Sequence, residues 1–361
     1  MRIASSKLVT RSLAAVTLLL AVTACGDQSG SSGDAASGGG AAEELRLGYF
    51  ANVTHAAALI GVQNGSIAEE LGTGTTLTTQ VFNAGPDEVE ALFAGAIDAA
   101  YIGPSPTINA YGQSGGDAIR IIAGAASGGA QLVVRDGINS AADLKGTNLA
   151  SPQLGNTQDV ALRTWLTDQG LKNRVDGGGD VTISPTPNSD IPNLFQSGEL
   201  DGAWVPEPTA SLLVLERGGH VLVDEKDLWP GGRFVTTHLI VRTDFLEKYP
   251  DTVSALLRAH VRSVELAEQD AQAAKQSVNA GLDAAGGKSL SPEVLDRAWS
   301  ELTVTDDPVA PALKQSAENG FKAGTTAEQV DLDGIYDLRL LNGILADEGR
   351  ESVSAGGLGA Q

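Results

Sequence analysis

One phrase occurs twice in this chain. The first copy is Phe93-Ala94-Gly95-Ala96-Ile97-Asp98-Ala99-Ala100-Tyr101-Ile102-Gly103-Pro104. The second is Phe195-Gln196-Ser197-Gly198-Glu199-Leu200-Asp201-Gly202-Ala203-Trp204-Val205-Pro206. Each reads as a helix end, a Gly stop, a bend through Asp, a strand of mostly small residues and a Pro-containing loop. That order is an α/β unit whose strand delivers a loop to its carboxyl end. Two such units predict two similar lobes, each offering a loop to one shared cleft, and clefts of this kind hold small solutes.

The start of the chain reads as an export signal. Arg2, Lys7 and Arg11 are basic, and Leu13 to Ala24 is apolar. That run has the length of a signal core and is too short to span a bilayer. It ends Val22-Thr23-Ala24-Cys25-Gly26, which resembles a bacterial lipobox. Residues 1–24 are therefore expected to be a lipoprotein signal peptide, with Cys25 lipidated as the mature N-terminus. Cys25 is the only cysteine. No intrachain disulfide, Cys-ligated zinc site or dithiol chemistry is open to the chain. Gly26 to Ala42 is rich in Gly, Ser, Ala and Asp, too poor in apolar bulk to fold, so segment 25–43 is expected to be a flexible tether. This layout holds a protein at the outer face of the cell membrane through its N-terminal lipid alone. The formal net charge of −21 argues against nucleic acid and against adsorption to anionic lipid.

In the body, strand and helix patterns alternate. Leu45 to Phe50 and Thr75 to Phe82 read as strands, and Asn52 or Thr54 is expected to cap the helix after the first. Gly85-Pro86-Asp87-Glu88 is a helix start, with Pro in the first turn and acids beside it. Val89, Leu92 and Phe93 continue it at helical spacing. Ile119 to Ala123, Gln131 to Val134, Thr147 to Ala150, Val181 to Ser184, Val221 to Val223 and Phe234 to Val241 read as further strands. Helices are expected over Thr157 to Gln169 and Pro208 to Glu216, and through most of the chain after Asp244. The final segment, 351–361, lacks periodicity and is expected to fray. This alternation predicts α/β sheets with helices on both faces, binding ligand at the carboxyl ends of the strands.

These residues carry a family resemblance. Phe82-Asn83-Ala84-Gly85-Pro86, Gly95-Ala96-Ile97-Asp98, Gly103-Pro104-Ser105-Pro106 and Asp143-Leu144-Lys145-Gly146 come in that order. Gly155-Asn156-Thr157-Gln158-Asp159 and Gly198 to Pro208 follow. Together with the lipobox, the chain resembles the solute-binding lipoproteins of ABC importers for nitrate, sulfonate, taurine and similar compounds. The resemblance implies a two-lobed periplasmic-binding-protein type II fold with hinge crossovers near residues 135 and 236. Lobe 1 would hold 44–135 and 237–350, and lobe 2 would hold 136–236. It further implies a monomer without cofactor or catalysis, which closes on its solute and docks on a membrane permease driven by an ATPase.

Candidate contacts follow from where loops leave strands. Gly155, Asn156, Thr157 and Gln158 open a helix, where free N–H groups bind oxyanions without a Lys; the competing reading is an ordinary cap by Asn156. Asp159 is expected either to satisfy the helix dipole or to meet an amino group on the solute. Asn52, Thr54 and His55 follow the first strand. His55 either donates to an anion when protonated or packs neutral against Tyr49. Gly85 heads its own helix, and Ser105 is a hydroxyl donor in a loop stiffened by two prolines. Ser127, with Gly128 and Gly129, offers backbone donors. Trp204 is core or cleft wall, and Glu207 touches solute or the opposite lobe. Arg233 and Thr236 to His238, Thr237 among them as a candidate contact, lie near the second crossover, where Arg233 pairs either with solute or with a structural acid. The four histidines have no metal spacing, and no Gly-x-Ser-x-Gly elbow surrounds Ser105.

The expected function is capture of a small anionic or zwitterionic solute, an aliphatic sulfonate or a taurine-like compound. Three other readings stand beside it. One is binding of a thiamine-precursor pyrimidine. Another is an enzyme on the same fold, although the Cys-rich motif of thiamine-precursor enzymes is absent from the body. The last is a sensor domain that reports occupancy to a receptor.

Overall fold

The computed structural model describes residues 40–361. The expected signal peptide, the expected lipidation at Cys25 and nearly all of the expected tether lie outside the described residues. Lobe 1 begins β1 (Glu44–Phe50), α1 (Ala56–Gln63), α2 (Ser66–Leu71), β2 (Thr76–Phe82), α3 (Gly85–Phe93), β3 (Ala99–Ile102), α4 (Pro104–Gln113) and β4 (Ile119–Gly128). Lobe 2 is β5 (Ala130–Val134), β6 (Asn148–Ser151), α5 (Thr157–Asp168), β7 (Thr182–Pro185), α6 (Ile191–Ser197), β8 (Gly202–Pro206), α7 (Thr209–Glu216) and β9 (His220–Asp224). The chain returns to lobe 1 as β10 (Val235–Arg242), α8 (Thr243–Lys248), α9 (Pro250–Gln269), α10 (Ala271–Ala284) and α11 (Pro292–Ser300). It ends with β11 (Leu302–Val304), α12 (Ala310–Lys322), β12 (Tyr336–Asp337), α13 (Arg339–Asp347) and β13 (Gly359–Ala360).

The two sheets repeat one plan. The first runs β13-β12-β4-β10-β3-β1-β2, with β11 on β4, and the second runs β7-β6-β8-β5-β9. In each, parallel strands (β2, β1, β3 or β7, β6, β8) meet one antiparallel strand, β10 or β5. The strands of the repeated phrase, β3 and β8, take equivalent seats between them. Their aspartates also match. Asp98 accepts from Arg46 N at 3.0 Å on β1, and Asp201 accepts from Asn148 N at 2.8 Å on β6. Each also returns its own N–H to the same residue's carbonyl, both at 2.8 Å. Arg46 and Arg242 balance Asp98, and Arg135 balances Asp201. Each Asp therefore pins the edge of a strand at the bend that starts the next one.

The fold departs from three sequence expectations. The first crossover is not near residue 135. β4 ends at Gly128 and β5 starts at Ala130 in the other sheet, across Gly128 and Gly129 at φ 85° and 77°. Only glycine enters that region freely, and the apolar run Leu132 to Val134 suits either sheet. The return crossover spans 225–234. Next, Gly103-Pro104-Ser105-Pro106 is not a loop but the N-cap and first turn of α4, where proline costs no hydrogen bond. Last, the tail does not fray. Gly359 pairs with Tyr336, and Ala355 and Leu358 are buried. These few anchors are too sparse to show as a period.

Most of lobe 1 shares one continuous core, and Phe234, Val235, Val309 and Ala312 form a smaller cluster with Ala130 by the crossovers. The sheet of lobe 2 divides its core by strand alternation. Leu132, Leu162 and Trp204 pack on one face, and Val133, Phe195 and Leu213 on the other. Trp204 is core, not cleft wall: it is fully buried and donates Nε1–H to Glu225 Oε2 at 2.7 Å. Among the described residues no helix is long and apolar enough to cross a membrane.

Candidate functional site

Three helices begin at the cleft: α3 after β2, α4 after β3 and α5 after β6. Each follows the carboxyl end of a strand, which is the edge where such sheets bind ligands, and presents the positive end of its dipole there. They approach closely. A Cβ on Gly103 would fall 2.3 Å from Thr157 Oγ1, so glycine alone lets α4 of one lobe meet α5 of the other. Gly85 N, at the head of α3, donates to Asn156 Oδ1 at 3.2 Å across the lobes. Gln153 Nε2 donates to Asp87 Oδ1 at 3.0 Å beside it.

Between these termini lies a cavity of about 10 Å³. Its lining is an inventory of neutral groups. The cavity is lined by the amide residues Asn52, Asn83, Asn156, Gln158 and Asn188, by Thr54, Thr157 and His55, and by Phe50, Gly103, Pro206 and Thr236, whose hydroxyl donates to Gly128 O. Among the described residues that line it there is no Lys, Arg, Asp or Glu.

The head of α5 has not spent its donors on a cap. Asn156 makes no capping bond. Its Oδ1 serves Gly85, and its Nδ2 donates to Gln158 Oε1 at 3.0 Å. First-turn N–H groups have no intrahelical partner. Thr157 is 8% exposed, and its Oγ1 is buried with no hydrogen-bond partner. Asp159 does not oppose an anion here. It is buried and accepts from Ser151 Oγ at 2.7 Å, Gly155 N at 3.0 Å and Arg163 Nε at 2.9 Å.

His55 stacks on Phe50, not Tyr49, with ring centroids 4.4 Å apart. Its Nδ1 accepts from Phe50 N at 3.2 Å, so the neutral ring carries its hydrogen on Nε2. Burial pushes its pKa down to about 3, because desolvation disfavours the charged ring. It therefore offers the cleft a neutral donor.

Of the residues singled out from sequence, Asn52, Thr54, His55, Asn156, Thr157 and Gln158 come together around the cavity. Gly85 bridges the lobes at its rim. Gly155 precedes the helix and gives its N–H to Asp159. The others stand apart. Ser105 is buried in the first turn of α4. Ser127 pairs with Thr303 of β11. Thr237 is fully buried with its Oγ1 unpartnered, and its neighbour Thr236 lines the cavity instead. Glu207 is turned to a helix of the C-terminal segment: Arg297 Nη1 of α11 donates to its Oε1 at 3.0 Å, and Ser211 N donates to its Oε2 at 3.0 Å. Arg297 also donates to Ser211 Oγ at 2.8 Å and to Gln131 Oε1 at 2.7 Å. Arg233 pairs with Asp307 at 2.6 Å.

Gly103 and Pro206 stand in the two Pro-containing loops expected to reach the cleft, and Thr236 is beside Thr237. Phe50, Asn83 and Asn188 are not among the expected contacts. Phe50 ends a strand, while Asn83 and Asn188 follow strand ends. Applying the strand-end rule to every strand would have found those three. Among the described residues no group of three or more His, Cys, Asp and Glu side chains is gathered to hold a metal.

Comparison with known proteins agrees with the two-lobed fold. Residues 38–280 match the NMT1-like family. The Taurine-binding periplasmic protein of Escherichia coli (strain K12) is 29% identical over 189 residues, covering 52% of this chain and 57% of that protein. The alkanesulfonate-binding protein SsuA from Xanthomonas axonopodis pv. citri, solved bound to MOPS, superposes with a TM-score of 0.67 at 21% identity. That match covers 81% of this chain and 96% of SsuA. The periplasmic nitrate-binding protein NrtA from Synechocystis PCC 6803 gives a TM-score of 0.66 at 16% identity, over 79% of this chain and 82% of its own.

Proposed function

The chain belongs to the NMT1-like family of ABC-importer solute-binding proteins, and from that premise we propose that its cleft captures a small oxyanion of the sulfonate or nitrate type. The observation that carries this reading is the meeting of three helix N-termini at a cavity walled by neutral donors, with Thr157 Oγ1 buried and unpartnered. Such a site neutralises an anion with fixed dipoles and needs no Lys or Arg. The names of its relatives, taurine-binding, alkanesulfonate-binding and nitrate-binding, point the same way.

A cavity of about 10 Å³ has room for about one water. A solute of several heavy atoms therefore enters only when the lobes part, with Gly128-Gly129 and segment 225–234 as the hinge. The loaded, closed form delivers the solute to a membrane permease and its ATPase. Cys25 anchors the monomer by lipid at the outer face of the membrane, and Cys25→Ala is expected to move it from the membrane fraction to the medium.

The test is a thermal-shift series on the full chain with alkanesulfonates, taurine, nitrate and pyrimidines. An oxyanion is expected to raise the unfolding midpoint by mass action. A series in which pyrimidines alone raise it would overturn the oxyanion reading.

A further inference from the structure

The cleft is as notable for its missing carboxylates as for its donors. Three acids lie close to it, and each is committed elsewhere. Asp159 is locked to Arg163, Glu207 to Arg297, and Asp87 takes Gln153 at the exposed rim. Glu88, in the first turn of α3, is fully buried with neither carboxyl oxygen partnered, and it does not line the cavity. Burial holds it well above the usual carboxylate range, so it supplies no negative charge.

The acceptors that remain are neutral. Asn156 Oδ1 and Gln158 Oε1 already receive hydrogen bonds. Asn188 Oδ1 is a buried, unpartnered amide oxygen of the lining, beside the amides of Asn52 and Asn83, and an amide alone is a weak site for a cation. Three helices meanwhile begin just after strand ends beside the space, and the N-terminal end of a helix carries partial positive charge. An ammonium group enclosed there would lose its water, gain no counter-charge and sit against like-signed dipoles.

We propose that the cleft selects oxyanions that carry no ammonium group, so that it takes a plain alkanesulfonate in preference to the aminoalkanesulfonate of the same shape. This rests on the oxyanion reading above and narrows it. Zwitterionic solutes, expected from sequence beside simple anions, are thereby the weaker ligands. Asp159, which sequence left open as a partner for an amino group, has no free oxygen to offer one.

The test compares propanesulfonate with taurine by isothermal titration of the full chain. The two share the sulfonate and the chain length and differ in a terminal methyl against an ammonium. Propanesulfonate is expected to bind at least about tenfold tighter. Asn188→Asp sets a carboxylate in the wall and is expected to shift that ratio about tenfold toward taurine. Taurine binding as tightly as propanesulfonate to the unaltered chain would overturn the inference and leave oxyanion capture standing. A ratio unchanged by Asn188→Asp would overturn the counter-charge account of it. Binding of neither sulfonate, nor of nitrate, would remove the oxyanion reading and this inference together.

Discussion

Gly85 gives its backbone N–H to Asn156 Oδ1 at 3.2 Å, joining the head of α3 to the head of α5. A single side chain thus serves as a latch between the lobes and as part of the cavity wall. Asn156→Ala removes both roles and adds no bulk. Solute affinity is expected to fall about five- to tenfold, the worth of roughly one hydrogen bond. Titration and thermal unfolding together check it; unchanged affinity would show that the latch contributes nothing to the bound form.

Gly103 gives a steric version of the same test. Ala at this position sets a Cβ 2.3 Å from Thr157 Oγ1, a distance relieved only by turning Thr157 out of its place in the cavity wall or by parting α4 and α5. The expected outcome for Gly103→Ala is a folded protein with affinity lowered at least about tenfold, because strain of this kind costs about 1–3 kcal/mol. Small-angle scattering at saturating solute should show lobes more open than in the unaltered chain. A variant that closes and binds normally would place the approach of these helices outside the binding cycle.

The state of His55 predicts a pH profile. A ring titrating near 6.5 and donating to the anion as a cation would make affinity climb as pH falls through that value. With its pKa pushed down to about 3, the ring stays neutral and affinity is expected to be flat from about pH 5 to 8. A rise of more than about threefold between pH 8 and pH 5, abolished in His55→Gln, would contradict the assignment.

Stability carries a different pH signature. Burial raises Glu225 from 4.5 to about 7, against the hydrogen bond from Trp204. Above pH 4.5 the unfolded chain releases this proton while the folded one keeps it, so the folded state binds more protons. Stability therefore declines from about pH 4.5 to 7, by up to about 3 kcal/mol from this group. Glu225→Gln retains a carbonyl acceptor for Trp204 and cannot ionise. Denaturant unfolding at pH 5 and pH 8 should show a smaller decline in this variant than in the unaltered chain. Equal declines would mean that Glu225 is ionised in the folded protein throughout that range.

Much of this architecture is legible in the chain because local rules mark it. Gly95 and Gly198 end helices, Asp98 and Asp201 occupy the bends, and Gly85-Pro86 opens α3 as Pro in a first turn should. The head of α5 is legible for the same reason. What escaped was long-range. Glu207 between two prolines looks like a cleft residue until Arg297, distant in sequence, is seen to hold it. Leu132 and Val134 are as apolar as a strand of either lobe requires, so nothing local says which sheet receives them. Phe50 and Tyr49 differ by one position, and only the facing of β1 decides which of them stacks on His55.

The seat of β10 between β3 and β4 sets an order of assembly. The sheet of lobe 2 is drawn from one unbroken stretch, 130–224. The sheet of lobe 1 has its middle strand supplied from beyond that stretch. A chain emerging N-terminus first can complete lobe 2 while lobe 1 still lacks its centre. The lobe that starts first therefore finishes last, and β1 to β4 must wait unsealed until residue 235 and its successors arrive to close them.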